Sequence, residues 1–328
     1  MGGKALSIKA KKLNIEEYEI FLSFLLSELK QRLKDTVILE IPYYSEKTSF
    51  SDVDIIVSKQ ANITDNIKKA FLELGSKECK IRKDMLFFEL NGVQIDVMLY
   101  DKEVVKFARD FYSYNDLISL MFKKICSASK LFLYPHGLFY KHKDIKGHDK
   151  SILVTRDFDN ALQLFEYKPE VFRQGFKNFE DMYSFIITSP LFYPWKFNKK
   201  YFSKIDKASY ESRPVFRFMV DKINSNEDRK ERTEDAVLKK ALSCFPDFKE
   251  RIYNFIENES DKEKAKIIFN GFLVTKLTGL VGVELGDFMT HMRKILAAKH
   301  SNEYKLIIEL GSVHIKKLIL EEFKKYER

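Results

Sequence analysis

The chain has 328 residues, 45% of them hydrophobic and 32% charged, enough to bury one large core or two to three smaller ones. Its net charge of +9 and pI near 9.1 favour polyanionic partners such as nucleic acid. Three scattered cysteines (Cys79, Cys126, Cys244) and six dispersed histidines argue against a disulfide framework, a zinc site or a histidine-centred site. The N-terminal residues carry no apolar signal core, and no run approaches the length of a membrane span. Together these features imply a reducing, cytoplasmic setting and no membrane partner.

In chain order, residues 15–34 read as an amphipathic helix, with Asn14 as its cap and Glu17 completing a capping box. Residues 37–41 form a strand candidate ended by Pro42, followed by a polar connection from Tyr43 to Ser51. The run Ser51-Asp52-Val53-Asp54-Ile55-Ile56-Val57 is a β-branched strand with two carboxylates near its start. Residues 64–74 read as a second helix stopped by Gly75. Residues 79–83 and 85–90 are strand-like, and Asn91-Gly92 marks a tight hairpin into Val93–Leu99, which carries Asp96. The first hundred residues therefore predict an α+β unit with a mixed sheet.

Beyond it, residues 115–130 read as helical and 131–154 as strand pieces around Pro135-His136-Gly137, with a charged loop at 141–150. A helix is expected from Asp157 onwards. Residues 168–224 are aromatic-rich and mostly helical, and 225–235 form a polar linker or exposed turn. The remainder reads as helices interrupted at Gly271, Gly279, Gly282 and Gly286. The expected domains are 1–112, 113–224 and 225–328.

Residues i and i+2 of a strand share a face, so Asp52 and Asp54 point the same way while Val53 faces the core. If the Asp96 strand lies alongside, three carboxylates converge. Such a cluster repels itself unless divalent cations neutralise it, and hard oxygen ligands suit two ions of Mg2+ or Mn2+. The alternative is a set of solvated strand-end carboxylates.

These residues resemble the nucleotidyltransferase superfamily of DNA polymerase beta, poly(A) polymerases and CCA-adding enzymes. The resemblance implies a polymerase beta-like palm followed by a mostly helical C-terminal region. It implies that Asp52, Asp54 and Asp96 bind two metal ions and catalyse transfer from an NTP or dNTP to a nucleic acid 3′-hydroxyl. Tyr114 to Lys123, Gly137-Leu138-Phe139 and Val154 to Ala161 are similar to the palm-to-thumb order of family X. Residues 269–289 resemble the helical tail of CCA-adding enzymes, which favours RNA tailing over DNA synthesis. The arrangement is also similar to nucleotidyltransferase-like proteins of phages and large DNA viruses.

The superfamily's Gly-Ser ahead of Asp-x-Asp is missing. The corresponding segment, Ile41 to Ser51, has no glycine, and Pro42 lacks an amide donor. Ser45, Lys47 and Ser49 are its candidate nucleotide-binding substitutes, with Lys47 as the cation for the phosphates. Asn115, Asp116 and Lys123 are further candidates for nucleotide contact; the first two equally suit a helix cap. Arg213 and Arg217, four apart, would share a helix face. Transfer of a nucleotide to a protein or small molecule, and a catalytically degenerate nucleic-acid-binding protein, remain open alternatives.

Overall fold

The first helix starts where a cap is available. Asn14 accepts from the Glu17 amide, and the Glu17 carboxylate accepts from the Asn14 amide, so two amides at the helix end find partners. From there α1 (Ile15–Arg32) buries Tyr18, Leu22, Leu25 and Leu29 along one stripe. This computed structural model describes residues 5–8, 10–143, 148–226 and 235–326.

β1 (Ile38–Glu40) runs antiparallel to β2 (Val53–Ser58). After β2 the chain crosses through α2 (Ile63–Glu73) to β3 (Cys79–Arg82), β4 (Met85–Leu90) and β5 (Val93–Tyr100). The sheet order is β1-β2-β5-β4-β3, with β5 antiparallel to β4 but parallel to β2. Asn91 and Gly92 have φ of 54° and 79° and form the two-residue connection between β4 and β5. Two positive φ values are what a twist-matched hairpin turn requires.

The sheet's two faces do different work. Val53, Ile55 and Val57 of β2 and Ile95, Val97 and Leu99 of β5 point into a core closed by α1 and α2. Ile56 and Met98 point the other way, against Val105 and Ala108. Those last two belong to α3 (Val105–Tyr112), a helix that the sequence pattern does not announce.

Residues 115–130 are only partly the helix expected. Tyr114 and Asn115 both have φ of 56°, a π-helix covers Leu117–Phe122, and α4 (Lys123–Ser127) follows. A second sheet holds β6 (Leu131–Tyr134), β7 (Gly137–Lys143) and β8 (Asp149–Thr155) in that order. Gly137 is required there: a Cβ would sit 2.8 Å from the Thr155 carbonyl oxygen. Asp157 caps α5 (Phe158–Leu164). The aromatic-rich stretch forms α6 (Pro169–Gln174), α7 (Phe179–Ile186), α8 (Lys204–Ser212) and α9 (Pro214–Ile223). Phe172, Phe176, Phe185 and Phe197 are buried in the core.

Most of the expected polar segment at 225–235, and the middle of the charged loop at 141–150, lie outside the described residues. Further helices are α10 (Asp235–Cys244) and α11 (Pro246–Ile268). The chain forms two compact units, one of Met1–Lys141 with Ser151–Phe248, the other of His142–Lys150 with Lys249–Arg328.

The C-terminal part of the second unit is helical. α12 (Gly271–Thr278), α13 (Gly282–Lys299) and α14 (Glu303–Tyr326) bury Val274, Phe288, Met292, Leu296, Ile307, Ile315 and Ile319. Gly271 follows the break after α11 and opens α12 behind its cap Asn270, whereas the expected interruption at Gly286 is corrected: it lies inside α13. Gly279, at φ 78°, does end a helix, and an unexpected break falls at Gly311 within α14. Among the described residues no helix is long and apolar enough to cross a membrane. The whole is an α+β protein with a five-stranded mixed sheet and a helical C-terminal region.

Candidate active site

The parallel pairing of β2 with β5 places Asp54 directly opposite Asp96. Asp52, two residues before Asp54, lies on the same face. One ligand oxygen from each of the three carboxylates falls within 4.8 Å of the others. They project from the face opposite the main core, beyond the end covered by α3. This is the convergence expected from the strand pattern.

The donor set is all oxygen, with no histidine or cysteine, and the spacing suits one hard divalent cation or a pair about 3.5–4 Å apart. The residues therefore fit Mg2+ or Mn2+ in chemistry. Burial pushes the Asp54 carboxyl well above the ordinary carboxylate range, and the charges of Asp52 and Asp96 push it further. Asp96 is pushed up to about 6, chiefly by burial and also by Asp52, against a hydrogen bond from Gln94. That bond runs from Gln94 Nε2 to Asp96 Oδ1 at 2.7 Å. It occupies one oxygen of Asp96 and leaves the other for the site.

The segment before β2 is shaped by its own hydrogen bonds. The amides of Ser45 and Glu46 donate to the carbonyls of Phe176 and Lys177, at 2.9 and 2.8 Å, and the Lys47 amide donates to Tyr44 at 3.0 Å. These three amides are thus committed to carbonyls, unlike the free amides of an anion-binding loop. The Lys47 side chain turns inward instead. Its ammonium lies 4.2 Å from the Phe50 ring centroid. Burial lowers its pKa, while the charges of Asp54 and Asp52 oppose the shift.

The triad opens into a cavity of about 670 Å³, within the ~300–1,000 Å³ typical of small-ligand sites. Lys47, Ser49 and the three carboxylates line it, together with Tyr43, Tyr44 and Tyr112. The remaining wall carries Asn115, Asp116, Ser119, Phe179, Ser212 and Arg213. Arg213 Nη1 stands 3.6 Å from Asp116 Oδ1. Burial raises the Asp116 pKa and this arginine opposes it. Tyr44 meets Phe179 edge to face, with ring centroids 5.1 Å apart.

Seven of the nine residues singled out as site candidates from the sequence line this cavity: Asp52, Asp54, Asp96, Lys47, Ser49, Asn115 and Asp116. Ser45 is not among the lining residues. Lys123 lies elsewhere, its ammonium 5.5 Å from the Tyr134 ring centroid. Arg213 and Arg217 do not share a helix face as expected. Arg213 is the extended residue before α9, whereas Arg217 lies within it and donates to the carbonyls of Tyr210 and Glu211. Gln94, Tyr112, Ser119 and Ser212 do not stand out in the sequence. Only Gln94 has a usable signal there, its i−2 position on the same strand face as Asp96.

No family model and no curated protein matches this chain. Among solved structures it is similar to the ternary P/T complex of Leishmania infantum polymerase beta, at 16% identity and a TM-score of 0.34. That similarity covers 39% of this chain and 58% of the other, less than two thirds of its length.

Proposed function

We propose that the protein is a metal-dependent nucleotidyltransferase with a polymerase beta-like palm. It would transfer a nucleotidyl group from an NTP or dNTP to a polynucleotide 3′-hydroxyl. The observation that carries this reading is the register of Asp54 opposite Asp96, with Asp52 beside them, at a cavity of nucleotide size. Asp52, Asp54 and Asp96 would hold two ions of Mg2+ or Mn2+. Bound there, such ions neutralise phosphate charge and lower the pKa of the attacking hydroxyl.

The chain's residues supply position and charge. The hydroxyl gives its proton to solvent as its oxygen attacks the α-phosphorus, the bond to the bridging oxygen breaks, and pyrophosphate carries away the displaced electron pair. Lys47 stands beside the triad and serves as a phosphate cation in place of a glycine loop. Ser49 adds a hydroxyl. Asn115, Asp116 and Arg213, on the other wall, contact sugar or base. Tyr44 and Phe179 offer aromatic surface for a base. Among the transfers open to such a site, untemplated RNA tailing is favoured by the sequence resemblance of residues 269–289.

The test is direct. Protein is incubated with Mg2+ or Mn2+, each labelled NTP and dNTP, and RNA and DNA primers, with Asp54→Asn alongside. Extension by wild type and not by the variant is the expected result. Absence of extension with every pairing, or equal extension by the variant, overturns the reading.

A further inference from the structure

Residues 196–217 hold seven cations (Lys196, Lys199, Lys200, Lys204, Lys207, Arg213, Arg217) and two carboxylates (Asp206, Glu211). That is a net of five positive charges on 22 residues of a chain whose total is +9. The fold separates those charges by role. Asp206 is turned inward, where it pairs with Lys124 at 2.6 Å and accepts from the Ser203 amide and hydroxyl at the start of α8. Arg217 is spent on the last carbonyls of α8. Tyr210 bonds to Asp221, which also holds Lys199.

What remains on the outer side of α8 is exposed, with Lys204 and Lys207 set against a single carboxylate, Glu211. The helix buries none of its residues. Lys204 and Lys207 stand one turn apart, both exposed, and neither forms an ion pair among the described residues. Ile205 follows Lys204 on the flank away from Lys207, at 76% exposure. The last residue of the helix, Ser212, and the following Arg213 line the catalytic cavity. The helix thus runs about 12 Å, at ~1.5 Å per residue, from a lysine-bearing start to the mouth of the site.

We propose that this face of α8, from Lys204 and Lys207 to Arg213, is where the phosphodiester backbone of a single-stranded polynucleotide lies as its 3′-end enters the cavity. The inference rests on the reading of the site as a nucleotidyltransferase and names its second substrate. Lysines one turn apart meet successive phosphates as point charges, and exposed Ile205 gives apolar contact to an unstacked base. Arg213 lies next to the reacting end.

The test is fluorescence anisotropy of 5′-labelled single-stranded RNA, single-stranded DNA and duplex, with chelator and without nucleotide, across a salt series. The double variant Lys204→Glu/Lys207→Glu changes only exposed side chains, and its thermal unfolding is checked first. The expected result is single-strand binding by wild type that the variant weakens by about tenfold or more. The slope of log affinity against log salt should also fall by about 1.4, or about 0.7 for each phosphate no longer neutralised. The RNA and DNA arms identify the sugar. Unchanged affinity and slope in a folded variant would overturn the proposal, as would stronger binding of the duplex. Primer extension by a wild type whose affinity ignores both lysines would sink this surface but leave the catalytic reading standing. Lysine-dependent strand binding without any nucleotide transfer would do the reverse.

Discussion

Gln94 donates from Nε2 to Oδ1 of Asp96 at 2.7 Å while its own Oε1 accepts from the Ala5 amide at 3.0 Å. The side chain is almost fully buried, at 1% exposure. The same N-terminal segment also donates from the Lys11 amide to Gly92 and pairs Leu13 with Phe50, two residues before Asp52. One strap therefore braces both sides of the triad.

Gln94→Leu keeps the volume but removes the clamp. Groups that orient a metal-binding carboxylate typically change affinity by about 10–100-fold when removed. We expect Gln94→Leu to weaken Mn2+ binding by at least about tenfold, read as free Mn2+ in an electron paramagnetic resonance titration. The orphaned Ala5 amide should cost about 1–3 kcal/mol in stability. A variant that loses stability but binds Mn2+ like wild type would reduce Gln94 to a structural role.

Asp54→Asn and Asp96→Asn should separate folding from metal binding. Each removes one buried like charge, so each metal-free variant should melt a few degrees above wild type rather than below it. Each should also lose the stabilisation that Mn2+ gives wild type, about 2.7 kcal/mol at a hundredfold excess over Kd. Differential scanning calorimetry with and without Mn2+ reads both effects. A large drop in melting temperature on removing either carboxylate would mean that the charges serve the fold.

Much of this site is legible in the sequence. The Asp-x-Asp spacing puts two carboxylates on one strand face, and Asn91-Gly92 returns Asp96 to the same sheet. Both follow from local rules of strand alternation and turn chemistry. α3 is not legible, because it is only eight residues long and starts at Val104 with no side-chain cap. The π-helix at Leu117–Phe122 carries an apolar pattern that ordinary helix shares, and the left-handed pair Tyr114 and Asn115 has no glycine to betray it. Arg213 is visible as a cation, but its approach to Asp116 depends on a chain turn between α8 and α9. The partner of Gln94 in the strap lies 89 residues away, beyond any local pattern.

The response to pH should change sign when metal is added. In the metal-free protein the Asp96 carboxyl is raised by burial to about 6 from an ordinary 3.8. The folded state therefore holds this proton more tightly than the unfolded chain does. The favourable contribution is present below about 3.8 and is lost as pH rises through about 6. A divalent cation competes with that proton and stabilises the ionised form. We expect added Mn2+ to raise the melting temperature little at about pH 5 and much more at about pH 7. An equal metal effect at both values would remove Asp96 from the metal-binding set.

One guanidinium holds α3 against the helices that follow it. Arg173 lies at the end of α6 and reaches Asp110 on α3 with two nitrogens, Nη1 at 2.8 Å and Nη2 at 2.7 Å. Nη2 also meets Asp159 on α5 at 2.6 Å. Asp110 is 3% exposed, and besides this guanidinium it meets only the more distant Arg109 among the ion pairs of the described residues, with Nη1 3.7 Å from Oδ1. Removing one partner of a buried pair leaves an uncompensated charge, whereas replacing both with apolar groups removes the desolvation cost as well. Arg173 is itself 39% exposed and Arg109 stays nearby, so Arg173→Leu alone should destabilise the protein by about 1–3 kcal/mol. Asp110→Leu/Arg173→Leu should recover most of that loss, because the Asp159 carboxylate is partly exposed and can return to water. Urea unfolding of the two variants measures the difference. Tyr112, two residues beyond Asp110, lines the cavity at the carboxylate triad, so the single variant should also shift the response to Mn2+. A double variant no more stable than the single would show that the pair is held for its geometry rather than its charge balance.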